Sequence, residues 1–201
     1  MTKTSAQQAF AALFDAMADL FAAEVRPGGD QAATALRLAA GSPPDAPSKD
    51  SVYLQALSPI LTNTHHPITP LIATAAPFID WGPSDLGEGR IPDDLASAMP
   101  MCELIGPDGL VPNTDIRVGL WMQSPATTYG PRRHIAEETF LIFAGEAEWH
   151  QENKPPRTKG AGEVVHHPSN VLHTSITRKH PVLAAWRWSG DIGFEGYKLS
   201  G

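Results

Sequence analysis

The spacing of apolar residues divides the chain into a helical first half and a strand-rich second half. Phe10, Leu13, Phe14, Met17, Leu20 and Phe21 recur at steps of three and four among alanines, the pattern of an amphipathic helix. Ser5 is a candidate cap for it, and Pro27-Gly28-Gly29 a candidate stop. A second alanine-rich helix is predicted from Asp30 to about Ala40, stopped by Gly41-Ser-Pro-Pro. A third runs from Ser51 to about Leu61 on Val52, Leu54, Leu57 and Ile60, with Pro59 interrupting its last turn. After a proline-bounded stretch, 62–70, helical periodicity is lost. From Cys102 onward short strands are predicted at 102–105, 115–123, 138–144, 146–151, 163–166, 172–177 and 182–189. Turns such as Gly106-Pro-Asp-Gly109 and Glu152-Asn-Lys-Pro-Pro156 separate them. Many short strands with frequent turns predict a sandwich or barrel. The expected organisation is a helical extension over 1–100 packed on a β-barrel over 101–201.

Composition changes this picture little. With 42% hydrophobic and 18% charged residues, the 201-residue chain has an ordinary globular balance. A formal charge of -7 disfavours nucleic-acid binding, which needs a basic face. The lone cysteine, Cys102, permits no intramolecular disulfide. No apolar window is long enough for a leader or a membrane span, which predicts a cytoplasmic protein without membrane partners.

The candidate chemistry lies in two short segments. In Tyr129-Gly-Pro-Arg-Arg-His134-Ile-Ala-Glu-Glu138, a loop histidine is followed by a carboxylate at the start of a strand, and Gly145 stands seven residues after Glu138. In the second, Gly162, Pro168, Asn170 and His173 lead from a turn into the next strand. These spacings resemble the two motifs of the cupin superfamily, and the resemblance implies a small antiparallel jelly-roll barrel. It also implies one divalent ion held by His134, Glu138 and His173. Two imidazoles and a carboxylate suit zinc, iron, manganese, cobalt or nickel and leave coordination positions open. Where most cupins carry a further histidine, two residues before His134, this chain has Arg132, which cannot ligate. Either the site has three protein ligands or another side chain, Tyr129 being nearest, fills the gap. Of the adjacent pairs His65-His66 and His166-His167, at most one member each can face a site. His150 and His180 are read as surface residues.

A longer stretch is similar to bacterial cupin-type dimethylsulfoniopropionate lyases of the DddQ group. It is carried by the helical first half, the 129–138 run, His166-His-Pro-Ser-Asn170-Val-Leu-His173, and Trp186-Arg-Trp188-Ser-Gly-Asp191. The resemblance implies a β-elimination on a small sulfonium carboxylate, with the metal stabilising the carboxylate side as a proton is removed. Tyr129, Trp186 and Trp188 are candidates for the aromatic wall that faces the sulfonium, and Tyr129 is also a candidate base. The family's tyrosine two residues after the metal glutamate is replaced here by Phe140, which has neither a proton nor an oxygen to offer. Three readings follow: Tyr129 is the base, this homologue is weakly active, or the chain is an engineered inactive variant. Two competing functions are another cupin metalloenzyme, a dioxygenase or isomerase, and a non-catalytic ligand-binding cupin. The helices would cap the barrel or form a dimer face, as monomer or homodimer, and the 62–90 region with Trp81 is a candidate mobile loop.

Overall fold

A computed structural model describes residues 2–84, 86 and 89–200. The helices come first: α1 (Ser5–Ala22), α2 (Pro27–Gly41), α3 (Val52–Thr62), α4 (Thr69–Ala75), a short 3-10 turn (Ala76–Phe78) and α5 (Asp93–Ser97). The strands follow: β1 (Met101–Gly106), β2 (Val111–Pro112), β3 (Ile116–Gln123), β4 (Thr128–Arg133), β5 (Glu137–Gln151), β6 (Lys154–Gly160), β7 (Val164–His167), β8 (His173–Ile176), β9 (Val182–Ser189) and β10 (Lys198–Leu199).

One strand organises the rest. The first half of β5 pairs antiparallel with β9 and β7, and its second half pairs with β8 and β6. β9 continues through β3 to β1, whereas β8 continues through β4 to β10. Two sheets therefore share β5, the strand pattern of a jelly-roll cupin, although the hydrogen-bonded path does not close on itself. Strands read separately as 138–144 and 146–151 form one strand that bends at Gly145. Gly145 holds φ 68°, and a Cβ there would collide with the Pro181 carbonyl.

Alternation along β5 and β9 sorts side chains onto two faces. Leu141, Phe143, Leu183 and Ala185 face the helices and join Phe10, Leu13, Phe14, Met17 and Leu36 in one core. Phe140, Ile142, Ala184, Trp186 and Trp188 turn the other way and pack with Trp121, Tyr129, Trp149 and Tyr197. The helices thus cover one sheet, leaving its opposite face for the interior. Trp81 is in the helix-facing core.

Several local details differ from the pattern-based expectation. Thr4, not Ser5, caps α1: its hydroxyl accepts from the Gln7 amide and its own amide donates to the Gln7 side chain, a reciprocal capping box. Pro27 opens α2, where its missing amide costs nothing, so the Pro-Gly-Gly segment begins a helix as well as following one. β6 runs straight through Pro155-Pro156, which the sequence suggested as a turn. It is an exposed edge strand pairing only with β5, so the missing amides break no second ladder. β4, which contains Pro131, was not legible as a strand either. Part of the 62–90 region is helical; positions 85, 87 and 88 of it lie outside the described residues.

The helical layer is fastened by a buried ion pair. Glu24, between α1 and α2, accepts from Arg187 Nε at 2.7 Å and Nη2 at 2.6 Å, and from the Thr139 hydroxyl at 2.7 Å. Arg187 also reaches Ser189 and Glu137. Both ionic side chains are essentially inaccessible to solvent. Burial pushes the Glu24 carboxyl up, but the bonds from Arg187 and Thr139 outweigh it and hold the group below its ordinary 4.5. Gly28 packs against this guanidinium, leaving no room for a Cβ.

Glu24→Ala, which strands a buried guanidinium, is expected to cost about 3–5 kcal/mol of unfolding free energy in urea denaturation. Because Glu24 titrates low in the folded state, the stabilisation is complete above the unfolded carboxylate value and disappears as pH falls through the folded one. Thermal unfolding of wild type and Glu24→Gln from pH 7 to 3 is expected to show the wild-type advantage shrinking below about 4.5; a constant gap across that range would contradict it.

Candidate metal centre

His134 lies in the turn between β4 and β5, Glu138 is the second residue of β5, and His173 opens β8. All three are buried, and one ligand atom from each lies within 4.8 Å of the others. Glu138 Oε2 stands 3.5 Å from His134 Nε2 and 3.4 Å from His173 Nε2. The other nitrogen of each ring is already committed: His134 Nδ1 is 2.9 Å from the Ala136 carbonyl and His173 Nδ1 is 2.9 Å from the Val171 carbonyl. A carbonyl can only accept, so both Nδ1 atoms carry the proton and, in a neutral ring, both Nε2 atoms present a lone pair. Burial and then the Arg132 charge push the His173 imidazolium down to about 4, which keeps that ring neutral near pH 7.

With both rings neutral, two lone pairs and a carboxylate oxygen converge on one point. Among the described residues none of the three atoms has a hydrogen-bond partner, an arrangement that costs free energy unless a cation fills it. The donor set fits one divalent ion and leaves coordination positions open. Burial alone would raise the Glu138 carboxyl, yet the two imidazoles, when they carry a proton at Nε2, and the fixed charge of Arg132 hold it well below its usual range. Its second oxygen, Oε1, accepts from Trp188 Nε1 at 2.7 Å. The Trp188 ring stacks on His134 at 4.4 Å between centroids. Trp188 thus orients two of the three candidate ligands, the supporting role on which metal affinity depends.

The remaining predicted residues gather beside this point. Glu138, Tyr129, Phe140, Trp186 and Trp188 line one narrow cavity, with Trp121, Met101, Ser84 and Leu86 completing its wall. Phe140 is wedged between Trp121 and Trp149, each ring centroid 5.1 Å away. The Tyr129 hydroxyl is 2.8 Å from that of Tyr197. Burial pushes the Tyr129 phenol above its ordinary value, with the Arg132 guanidinium opposing.

Three residues that the sequence left aside prove to be close by. Arg132, excluded as a ligand, lies buried with Cζ 3.7 Å from the Tyr129 ring centroid. His167, directly opposite Glu138 in the β5–β7 register, stacks on His173 at 4.0 Å. Tyr197 belongs to a Gly-rich C-terminal segment with no periodic signal, whereas strand parity would have pointed His167 inward and His166 outward. His166 contacts Glu137 on the outer face. His65, His66 and His180 line a separate open groove of about 750 Å³ that shares no residue with the cavity, and His150 pairs with Glu148.

Fold and site together define a jelly-roll cupin with one candidate metal centre. The chain belongs to the dimethylsulfoniopropionate lyase family, whose model matches residues 46–184. It is 45% identical over 69 residues to the dimethylsulfoniopropionate lyase DddQ of Ruegeria pomeroyi, 34% of either chain. It is 26% identical over 133 residues to a putative dimethylsulfoniopropionate lyase, DddL, of Cereibacter sphaeroides, 64% of this chain and 55% of that one. The chain thus matches between a third and just over half of the length of these curated relatives. The solved structure of the R. pomeroyi DddQ superposes with a TM-score of 0.71 over 96% of both chains at 27% identity. A structure reported with the lyases RdDddP and RnDddQII shares the fold at a TM-score of 0.67 over 98% of both chains and 22% identity.

Trp188→Phe keeps the stack on His134 but removes the bond to Glu138, so zinc affinity measured by chelator competition is expected to fall about tenfold or more. An unchanged affinity would show that the indole only fills space.

Proposed function

We propose that this chain is a carbon–sulfur lyase that splits dimethylsulfoniopropionate into dimethyl sulfide and acrylate by β-elimination, using one divalent ion at His134, Glu138 and His173. The observation that carries the reading is the convergence of two imidazole Nε2 atoms and the Glu138 carboxylate, which also lines an aromatic cavity. Family membership supplies the substrate class, a small sulfonium carboxylate. Zinc, iron, manganese, cobalt and nickel all suit the donor set. When bound, the ion supplies Lewis acidity that withdraws charge from the substrate carboxylate as the adjacent carbon loses its proton.

The chain's own residues do the rest. Tyr129 is the base in this reading: its phenolate oxygen takes the Cα proton, the electron pair forms the C=C bond, and the C–S bond breaks to release neutral dimethyl sulfide. Tyr197, 2.8 Å away, donates a hydrogen bond to that phenolate, and the Arg132 guanidinium over the ring favours the ionised form. Both oppose the burial that holds the phenol above its ordinary value. Trp186 and Trp188 offer ring faces to the sulfonium, an attraction effective within about 6 Å of a centroid. Phe140 keeps the shape of a tyrosine and contributes no proton. In the same reading residues 1–100 act as a helical extension packed on the barrel of residues 101–201, and the chain works in the cytoplasm as a monomer or homodimer. Among the described residues no helix is long and apolar enough to cross a membrane.

Headspace dimethyl sulfide from the metal-reconstituted protein tests this. Release is expected from both wild type and Phe140→Tyr, with a loss of roughly 10²- to 10⁴-fold in Tyr129→Phe. Sulfide from Phe140→Tyr alone would move the base to position 140, and none from any version would sink the lyase reading and leave a metal-binding cupin.

A further inference from the structure

Arg132 is the least explained group in the interior. It pairs in register with His173 across β4 and β8 and lies two residues before His134, so its side chain enters the space that the ligand histidines enter. At 1% exposure it is among the largest fully buried side chains of the chain. One guanidinium nitrogen, Nη1, donates to the Tyr129 carbonyl at 2.7 Å, and the guanidinium carbon sits over the Tyr129 ring. The other, Nη2, has no hydrogen-bond partner among the described residues. Its nearest carboxylate oxygen, Glu138 Oε2, is 3.9 Å away, beyond hydrogen-bond distance.

Glu138 cannot be the intended partner of this cation. Its Oε1 is taken by Trp188, and its Oε2 faces the two bare imidazole nitrogens. A divalent ion there adds two positive charges beside the fixed one on Arg132, against the single negative charge of Glu138. An arginine in a histidine's place therefore removes a ligand and leaves a site with surplus positive charge and an unused, inward donor. The ligand that satisfies both is an anion that reaches the metal point and Nη2 together, and a carboxylate has two oxygens with that reach.

We infer that Arg132 is the carboxylate-recognition residue of this site, with Nη2 donating to one oxygen of the substrate carboxylate. The inference rests on the lyase reading for the identity of the substrate, but the anion subsite itself rests on the geometry. The residue would hold the carboxylate in the same orientation in substrate and product, leaving the sulfonium end to the tryptophans. Neutral analogues would be excluded because they leave a buried guanidinium unpaired.

Propionate, which has the carboxylate and no leaving group, is the probe. Calorimetric titration into the zinc-loaded protein is compared for wild type, Arg132→Met and Arg132→Lys, and zinc affinity is measured on each by chelator competition. The expected result is a propionate dissociation constant raised roughly 10- to 100-fold in Arg132→Met and less in Arg132→Lys, which keeps the charge but not the fork. Zinc affinity is expected to stay equal or tighten when the neighbouring cation is removed. Unchanged propionate binding in both variants, or weakened zinc binding in Arg132→Met as for a purely structural partner of Glu138, overturns the inference. If Arg132→Met fails to fold, Arg132→Lys decides: propionate binding equal to wild type there overturns it. Because no step reads sulfide release, Arg132-dependent propionate binding with no lyase activity would sink the proposed function and leave the anion subsite standing.

Discussion

The alternation of side chains along β5 and β9 is the constraint on which the molecule depends. A strand can present successive residues only to opposite faces, and here each face has a separate task. On β5, Glu137 and Thr139 reach Arg187 and Glu24 on the helical side, while Glu138 and Phe140 enter the interior. On β9, Arg187 belongs to the buried ion pair and Trp188 to the candidate metal centre. A one-residue slip between the strands would exchange these roles. The salt bridge that docks the helices and the indole that orients Glu138 are consecutive residues, so docking and site geometry are coupled through one short piece of backbone.

Electrostatics inside the barrel follow from the same placement. The two committed Nδ1 protons leave bare nitrogens around Glu138, and low solvent access makes that arrangement costly without a cation. Arg132 adds a fixed charge that burial cannot remove by deprotonation. It acts on four neighbours at once: it opposes protonation of His173 and His167, favours the ionised Tyr129, and helps hold Glu138 as a carboxylate. Replacing a ligand histidine by arginine thus converts part of a coordination sphere into an anion-receiving surface.

The motif glycines show how local backbone supports this chemistry. Gly145 and Gly162 adopt positive φ, and Asn170 takes φ 60° in the turn before His173. Asparagine enters the left-handed region more readily than other side chains, so it can form the turn that delivers His173.

Much of this was legible in the sequence. Residues 10–21 carry a helical period, 182–189 reads as a strand, and the motif spacing that flagged His134, Glu138 and His173 depends on turns whose geometry is set by glycine, asparagine and proline. These are local properties, and local rules expose them. The strand through Pro155-Pro156 escaped because an edge position, which tolerates proline, is defined by a neighbour distant in sequence. Tyr197 and His167 reach the site only through pairings made by β10 with β4 and β7 with β5, and Glu24 meets Arg187 across 163 residues. The sequence by itself determined the residue types and most of the elements, which follow from propensity and spacing within a few residues, and it offered the candidate ligands through the resemblance of two segments to the cupin motifs. Only the tertiary structure decided which ring nitrogens of His134 and His173 face a carbonyl, which indole holds Glu138, and that Arg132 Nη2 has no hydrogen-bond partner among the described residues, because a hydrogen-bond partner is chosen by which strands lie side by side.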